Sequence, residues 1–179
     1  MQYLSKILLK MLGWKTVLSV TEPANSVICV APHTSNFDFI FGKLAYASIG
    51  RDASFLIKKS WFFFPMNLFF KAIGGVPIDR TRKSSVTDQM AEEFAVRTHC
   101  HLAITPEGTR SLVNEWKMGF YFIAQKAGVP IQLAYIDYQK KEVGIKQLFY
   151  PTGNIEKDMS EIYNYYKGVK GKHPEKFNL

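Results

Sequence analysis

The sequence predicts an α/β fold, a single domain with a mainly parallel central sheet flanked by helices and preceded by an amphipathic helix. Short β-rich runs alternate with helical segments along the chain, which is typical of successive β-α-β units. The 179 residues are 47% apolar and 21% charged, which excludes a disordered chain and suits a substantial core. Because no linker, repeat or low-complexity segment interrupts the pattern, we expect residues 1–179 to form one domain.

Residues 1–15 are predicted to contain the amphipathic helix. Apolar residues recur there at helical spacing, namely Leu4, Ile7, Leu8, Met11 and Leu12. Lys6 and Lys10 share another face and interrupt any secretory signal. Two interpretations stay open: the helix packs on its own domain, or it lies on a membrane surface. A spanning helix is not expected, since no window reaches the roughly 20 apolar residues that it needs.

The remaining strands and helices are predicted from β-rich runs, from helical periodicity and from the Gly and Pro residues that separate them. Strands are expected at 26–31, 53–57, 74–78, 101–105 and 131–136, with an edge strand or hairpin at 141–150. Helices are expected at 36–47, 84–98, 119–127 and 156–167, with an aromatic-rich helical or irregular segment at 60–72. Gly128 suits the C-cap of the helix before it, and residues 168–179 are expected to be a loose tail.

The net charge of +8 and the isoelectric point of about 9.4 indicate an anionic partner. Nucleic acid, an anionic membrane or a phosphorylated substrate all fit this charge, but no nucleic-acid-binding motif is present. The two cysteines, Cys29 and Cys100, lack metal-binding spacing. We therefore expect both to be buried and reduced, and we expect no metal centre.

His33 and Asp38 are the candidate catalytic pair. The strand at 26–31 places His33 at the carboxyl end of the sheet, where open α/β folds bind their ligands. A neutral imidazole accepts a proton at pH 7, and a carboxylate on its second nitrogen fixes the tautomer. The spacing works if His33 precedes the helix and Asp38 lies in its first turn. The alternative is a simple helix cap in which Ser35 or Asn36 caps the helix and His33 is incidental.

Two further segments offer sites for an anion. In Gly74–Arg80 the glycines allow close backbone approach, and Arg80 has the planar fork that grips phosphate. Residues 105–111 follow a strand and hold Glu107, Gly108, Thr109 and Arg110 in a polar turn. Glu107 can accept hydrogen bonds from substrate hydroxyls or order its loop. Each segment is also compatible with an ordinary surface turn.

Two apolar segments are ambiguous. Lys59 precedes the aromatic run at 61–64, which suits an interfacial belt or a solvated lysine beside a core cluster. Val129, Pro130 and Ile131 form an apolar turn into a strand, and by themselves they indicate core or wall.

The order of these segments resembles the four-block pattern of the glycerolipid acyltransferase family, which includes the 1-acylglycerol-3-phosphate acyltransferases. The blocks are His-x4-Asp, Gly-Gly-Val-Pro-Ile-Asp-Arg, Pro-Glu-Gly-Thr-Arg-Ser and Val-Pro-Ile, and they span residues 32–131. Pro32 stands where the family usually has Asn, and Thr105 stands where an aromatic residue is common. Both departures indicate a divergent subgroup.

The resemblance implies O-acyl transfer to a lyso-glycerophospholipid such as 1-acylglycerol-3-phosphate. His33 would be the general base and Asp38 its support, while Arg80 and residues 107–110 would bind the acceptor. Val129, Pro130 and Ile131, with Lys59, would contribute to the acyl side or the interface. The donor would be acyl-CoA or acyl-carrier protein, used as a co-substrate without a cofactor or metal. The enzyme would act in the cytoplasm, peripherally at the inner face of the cell membrane.

Other functions also agree with these residues. The acceptor can be another lyso-lipid, such as an amino-acid-linked one, and the same base can activate water in an acyl-thioester hydrolase. A serine hydrolase is disfavoured, since the chain has no Gly-x-Ser-x-Gly motif. A basic module that binds nucleic acid is the weakest alternative.

Overall fold

The fold is known from a computed structural model, which describes residues 1–79, 81 and 85–179. Its strands are β1 (Lys15–Leu18), β2 (Asn25–Ala31), β3 (Ser54–Lys58), β4 (Gly75–Ile78), β5 (Cys100–Ile104), β6 (Ile131–Asp137) and β7 (Glu142–Phe149). Its α-helices are α1 (Gln2–Met11), α2 (Phe37–Ser48), α3 (Met66–Ala72), α4 (Val86–Val96), α5 (Gly119–Ala127) and α6 (Ile155–Tyr166).

In the described ranges the strands form one sheet of seven, in the order β1-β7-β6-β2-β5-β3-β4. Among the strands of the described residues, only the β6–β7 pair is antiparallel. The four residues between β6 and β7 are too few for a parallel crossover, which takes a dozen or more, so the chain turns back as a hairpin. The predicted α/β fold with a mainly parallel sheet is confirmed. The expected hairpin at 141–150 is also present, but β7 is not an edge strand because β1 pairs along its outer side.

Side-chain alternation along the strands separates two apolar layers. Val27 and Cys29 of β2 point into the larger core, which α4, α5 and α6 cover. Ile28 and Ala134 point to the opposite face, where α2 lies across the sheet. Both cysteines are free and buried, as predicted. A cavity beside α2 lies in this second layer and is described with the candidate site.

The amino-terminal helix is only partly buried. Leu9 and Ser5 are its buried residues, and α1 packs against α2. Its other apolar side chains are exposed, from 37% for Leu8 to 81% for Tyr3. The strand β1 that follows was missed, since its four residues, with a half-exposed middle, have too little apolar alternation to indicate a strand. In the described part of the chain, no helix combines the length and apolarity needed to cross a bilayer.

The prediction of a loose tail at 168–179 is wrong. The Tyr138 amide donates to the Lys170 carbonyl at 2.8 Å, and Phe177 packs against the main core. Farther along, the His173 amide donates to Thr34 Oγ1 at 3.2 Å. A Cβ on Gly171 would lie 2.8 Å from the same Oγ1, so the missing side chain permits this close approach. The tail therefore packs beside the loop that carries His33.

Candidate functional site

The candidate site lies at the carboxyl end of β2, the central strand of the sheet. β2 ends at Ala31, His33 follows in the connecting loop, and Asp38 lies in the first turn of α2. The short connection folds the chain back, so that His33 Nδ1 lies 3.2 Å from Asp38 Oδ2. The sequence placed this pair correctly.

Asp38 is held as a carboxylate by four donors. It is 3% exposed, and its Oδ2 accepts from the Thr34 and Ser35 amides at 2.8 Å each, as well as facing His33. The Tyr138 hydroxyl donates to Oδ1 at 2.7 Å. Burial raises the pKa of Asp38, but the hydrogen bonds from His33, Tyr138 and the two amides outweigh it and hold that pKa below its ordinary value. The carboxylate therefore stays charged near pH 7 and orients the imidazole.

The helix-cap interpretation explains only part of this geometry. Asn36 occupies the N-cap position of α2 but makes no side-chain capping bond. The Ser35 hydroxyl accepts from the Phe37 amide, which is a capping contact. Asp38 does more than favour the helix end, because its carboxylate binds both the preceding loop and the His33 ring. With Nδ1 directed at Asp38, the second ring nitrogen of His33 is the one available to a substrate.

Tyr138 is a site residue that the sequence reading missed. It follows β6, 100 residues from Asp38, and no local spacing links the two. Its ring is fixed edge-on against Trp14 at 4.9 Å and Phe41 at 5.9 Å between centroids. Burial and the neighbouring Asp38 raise the pKa of its phenol, so the hydroxyl remains a proton donor. The available signal was a tyrosine just past the predicted strand at 131–136, since residues that follow parallel strands reach the same rim.

Glu107 is buried against the backbone of the loop that carries His33. It is 2% exposed, and its Oε1 accepts from the His33 backbone amide at 2.8 Å. Burial raises the pKa of Glu107, although the bond from His33 acts against this. Of the two roles left open by the sequence, the contacts favour ordering of the His33 loop.

The neighbouring turn is exposed and reaches the site through Arg110. Arg110 Nη1 donates to Asn36 Oδ1 at 2.6 Å, which places the guanidinium beside the start of α2. Gly108 has a φ of 63°, a conformation that favours glycine, and like Arg110 it borders the cavity described below. Thr109 accepts from the Ser111 amide at 3.3 Å, so its hydroxyl orders the turn.

The predicted segment 129–131 is not beside His33. Val129, Pro130 and Ile131 are buried in the core at the amino end of β6, where Ile131 pairs with Val27. His33 lies six residues beyond Val27, roughly 20 Å along the strand. They therefore lie at the end of the sheet opposite the one that carries His33, and their place in an acyl-side wall stays a prediction.

Of the two predicted cations, Lys59 and Arg80, the structure describes only Lys59. Lys59 is exposed, and its Nζ lies 3.2 Å from Asp79 Oδ2. The two residues form a solvated ion pair close to the aromatic segment. Arg80 lies outside the described residues.

An apolar cavity of about 800 Å³ lies between α2 and the sheet. His33, Asp38 and Arg110 line one part of it. The rest is mostly apolar and includes Ile28, Val30, Phe39, Ile40, Leu56, Ala134, Ile136 and Ile145. This volume is within the range of pockets that enclose small ligands. The sequence reading missed the cavity because its lining comes from alternate residues of several strands, which only the assembled sheet brings together.

Three comparisons place the chain among known proteins. The model of a family described as Acyltransferase matches residues 16–136. No curated protein matches the chain significantly. Among solved structures, the chain is similar to the crystal structure of the 1-acyl-sn-glycerophosphate (LPA) acyltransferase, PlsC, from Thermotoga maritima. The TM-score is 0.64 at 19% identity, over 93% of this chain and 75% of that one, and at that identity the likeness shows the fold alone.

Proposed function

We propose that this chain, a member of the acyltransferase family, moves a fatty acyl group from a thioester to the hydroxyl of a lyso-glycerophospholipid such as 1-acylglycerol-3-phosphate. The observation that carries the proposal is the His33–Asp38 pair, 3.2 Å apart, at an apolar cavity of about 800 Å³. A base beside an apolar cavity suits a reaction between a polar hydroxyl and a long hydrocarbon chain.

In the proposed reaction His33 is the general base. Its free ring nitrogen takes the proton of the acceptor hydroxyl as the oxygen attacks the thioester carbonyl. The tetrahedral intermediate then collapses, the carbon–sulfur bond breaks, and the imidazolium returns the proton to the departing thiolate. Asp38 stabilises the transient imidazolium, and its amide and tyrosine donors keep it in place.

The two ends of the substrates need different surroundings. The cavity lining buries hydrocarbon, at a gain of roughly 0.8 kcal/mol for each methylene removed from water. Arg110, exposed beside Asn36, is a fixed cation for the acceptor phosphate. Arg80 is proposed to assist it. The name of the Thermotoga maritima structure supports 1-acylglycerol-3-phosphate as the first acceptor to test. The proposed donor is acyl-CoA or acyl-carrier protein.

We propose that the enzyme works peripherally at the inner face of the cell membrane. Phe39 and Ile40 border the cavity yet are 45% and 49% exposed. Further exposed apolar residues lie on α1 and around α3, including Leu4, Ile7, Met11, Trp61, Phe63, Phe64, Leu68 and Phe69. Together with the net charge of +8, these side chains suit an anionic lipid surface.

The deciding experiment is thiol release from acyl-CoA and acyl-carrier-protein donors, with lyso-lipids offered one at a time and products identified by mass. His33→Ala should reduce acceptor-dependent release by at least about 100-fold, the lower range for removing a general base. His173→Ala, which removes a half-exposed imidazole from the same rim, is the matched control. Undiminished turnover in His33→Ala overturns the mechanism. Thiol release that ignores the acceptor indicates a hydrolase instead.

A further inference from the structure

A second cluster of chemically active side chains lies at the opposite end of the sheet. Glu22 comes from the loop between β1 and β2, His99 precedes β5, and His101 lies within β5. Residues two apart in an extended chain point to the same side, so both imidazoles face Glu22. His101 pairs with Ser26 across the sheet, roughly 20 Å along β2 from His33. The cluster is therefore separate from the proposed active site.

The three side chains already have the spacing of a metal site. One donor atom from each lies within 4.8 Å of the others. Glu22 Oε1 is 3.1 Å from His101 Nε2 and 3.9 Å from His99 Nε2. Tetrahedral zinc, with bonds of roughly 2.0–2.2 Å, sets its ligand atoms roughly 3.3 Å apart. The His99 ring would have to move closer to Glu22 to reach this spacing. Its side chain is 56% exposed and therefore able to move.

Two buried atoms of the cluster, His101 Nε2 and Glu22 Oε1, are poorly satisfied by hydrogen bonds. His101 is 1% exposed, and in the described part of the chain its Nε2 and Glu22 Oε1 have no partner other than each other, at 3.1 Å and outside good hydrogen-bond geometry. Buried polar atoms without partners are rare in proteins because they cost free energy. The two atoms face each other at 3.1 Å, so one bound cation would satisfy both.

The surroundings of His101 suit ligation through Nε2. Its Nδ1 lies 2.7 Å from Ser26 Oγ, and that oxygen accepts from Gln132 Nε2 at 2.6 Å. A metal-ligating histidine commonly donates its other N–H to such an oxygen, which fixes the ring. Arg51 is a nearby cation that would repel a metal ion. Its Nε, however, contacts the other carboxylate oxygen, Glu22 Oε2, at 3.3 Å. Oε1 is left for a metal.

We propose that Glu22, His99 and His101 bind a Zn²⁺ ion, with water as the fourth ligand. Two imidazoles and one carboxylate are donors that zinc accepts. Such an ion would tie the β1–β2 loop to the start of β5 and would stabilise the fold without taking part in acyl transfer.

The test is direct binding of Zn²⁺ to the chelator-treated full chain, measured by competition with a chromophoric chelator and by thermal unfolding. We expect one ion per chain and a higher melting temperature with zinc. His99→Ala should weaken binding at least about tenfold and abolish the thermal shift, and its exposed side chain makes misfolding a minor concern. His173→Ala, which removes a half-exposed histidine elsewhere, should keep both effects.

Glu22→Gln provides a second variant that removes a donor charge without changing shape. Weaker zinc binding in both variants supports the site. Absence of binding in the unaltered chain, or equal affinity in His99→Ala, overturns it. Neither readout depends on catalysis, so the outcome is independent of the proposed acyl transfer.

Discussion

Removing the hydroxyl of Tyr138 tests whether its hydrogen bond to Asp38 affects the rate of the proposed acyl transfer. In Tyr138→Phe the ring keeps its contacts with Trp14 and Phe41, and only the 2.7 Å bond to Asp38 Oδ1 is lost. Asp38 keeps three of its four donors: the amides of Thr34 and Ser35 and the His33 ring. The change is therefore confined to one hydrogen bond behind the proposed base.

The size of the effect follows from the charge of the acceptor. A hydrogen bond to a charged group contributes about 1.5–3 kcal/mol, and the half-buried Tyr138 belongs at the lower end. We expect the free energy of unfolding to fall by about 1.5 kcal/mol. A similar loss of transition-state support, about 1.4 kcal/mol, lowers kcat about tenfold. The KM for the lyso-lipid should not change, since Tyr138 acts through Asp38.

Steady-state thiol release and urea unfolding together measure both quantities. Tyr165→Phe is the matched control, because its hydroxyl donates to the Leu133 carbonyl at 2.7 Å, away from Asp38. It should lose stability and keep its kcat. If Tyr138→Phe loses stability but retains full kcat, the hydroxyl is merely structural. A raised KM with unchanged kcat would mean that Tyr138 contacts the substrate.

Three further predictions concern the site loop, a tight turn and the cavity. Burial raises the pKa of Glu107 in the folded protein above its ordinary value of 4.5. The protonated side chain therefore contributes stability at a pH below 4.5, and this contribution is lost as the pH rises through the folded pKa. Urea unfolding across pH should therefore show wild type losing stability relative to Glu107→Gln over that window, whereas parallel curves would refute this. Gly74→Ala should be more destabilising than Gly168→Ala by at least about 1 kcal/mol in urea unfolding. Both glycines have positive φ, but a Cβ on Gly74 meets the Ala53 carbonyl oxygen at 2.8 Å while one on Gly168 meets open space; equal losses would contradict this. Gly42 lines the cavity with no atom within 4 Å of an added Cβ, so Gly42→Leu should shift donor preference to shorter chains while Gly42→Ala keeps it. An unchanged chain-length profile in Gly42→Leu would mean that the cavity does not hold the acyl chain.

The fold class and the contact between His33 and Asp38 could be predicted from the sequence because their signals are local. Alternating β-rich and helical runs predict the α/β class, and β2 lies at the centre of the sheet. His33 and Asp38 are five residues apart, and a strand end followed by a helix start leaves few geometries for such a pair. Errors arose where local pattern was uninformative: the four-residue strand β1, and a tail that was expected to be loose but packs through its backbone.

The support of that pair depends on residues distant in sequence. Tyr138 is 100 residues from Asp38, and Glu107 is 74 residues from the His33 amide that it binds. Strand order and direction bring these groups to one rim, and they also place Val129–Ile131 at the opposite edge.

The sequence by itself determined the fold class, the rim that carries the site, and the histidine and carboxylate within it. Hydrophobic periodicity and the residues that begin and end strands and helices encode these features, and such signals act over a few residues. Only the tertiary structure decided which groups hold Asp38, where an apolar cavity opens, and that Glu22 meets two histidines. Those contacts join segments far apart in the chain, and their geometry exists only after the sheet has assembled.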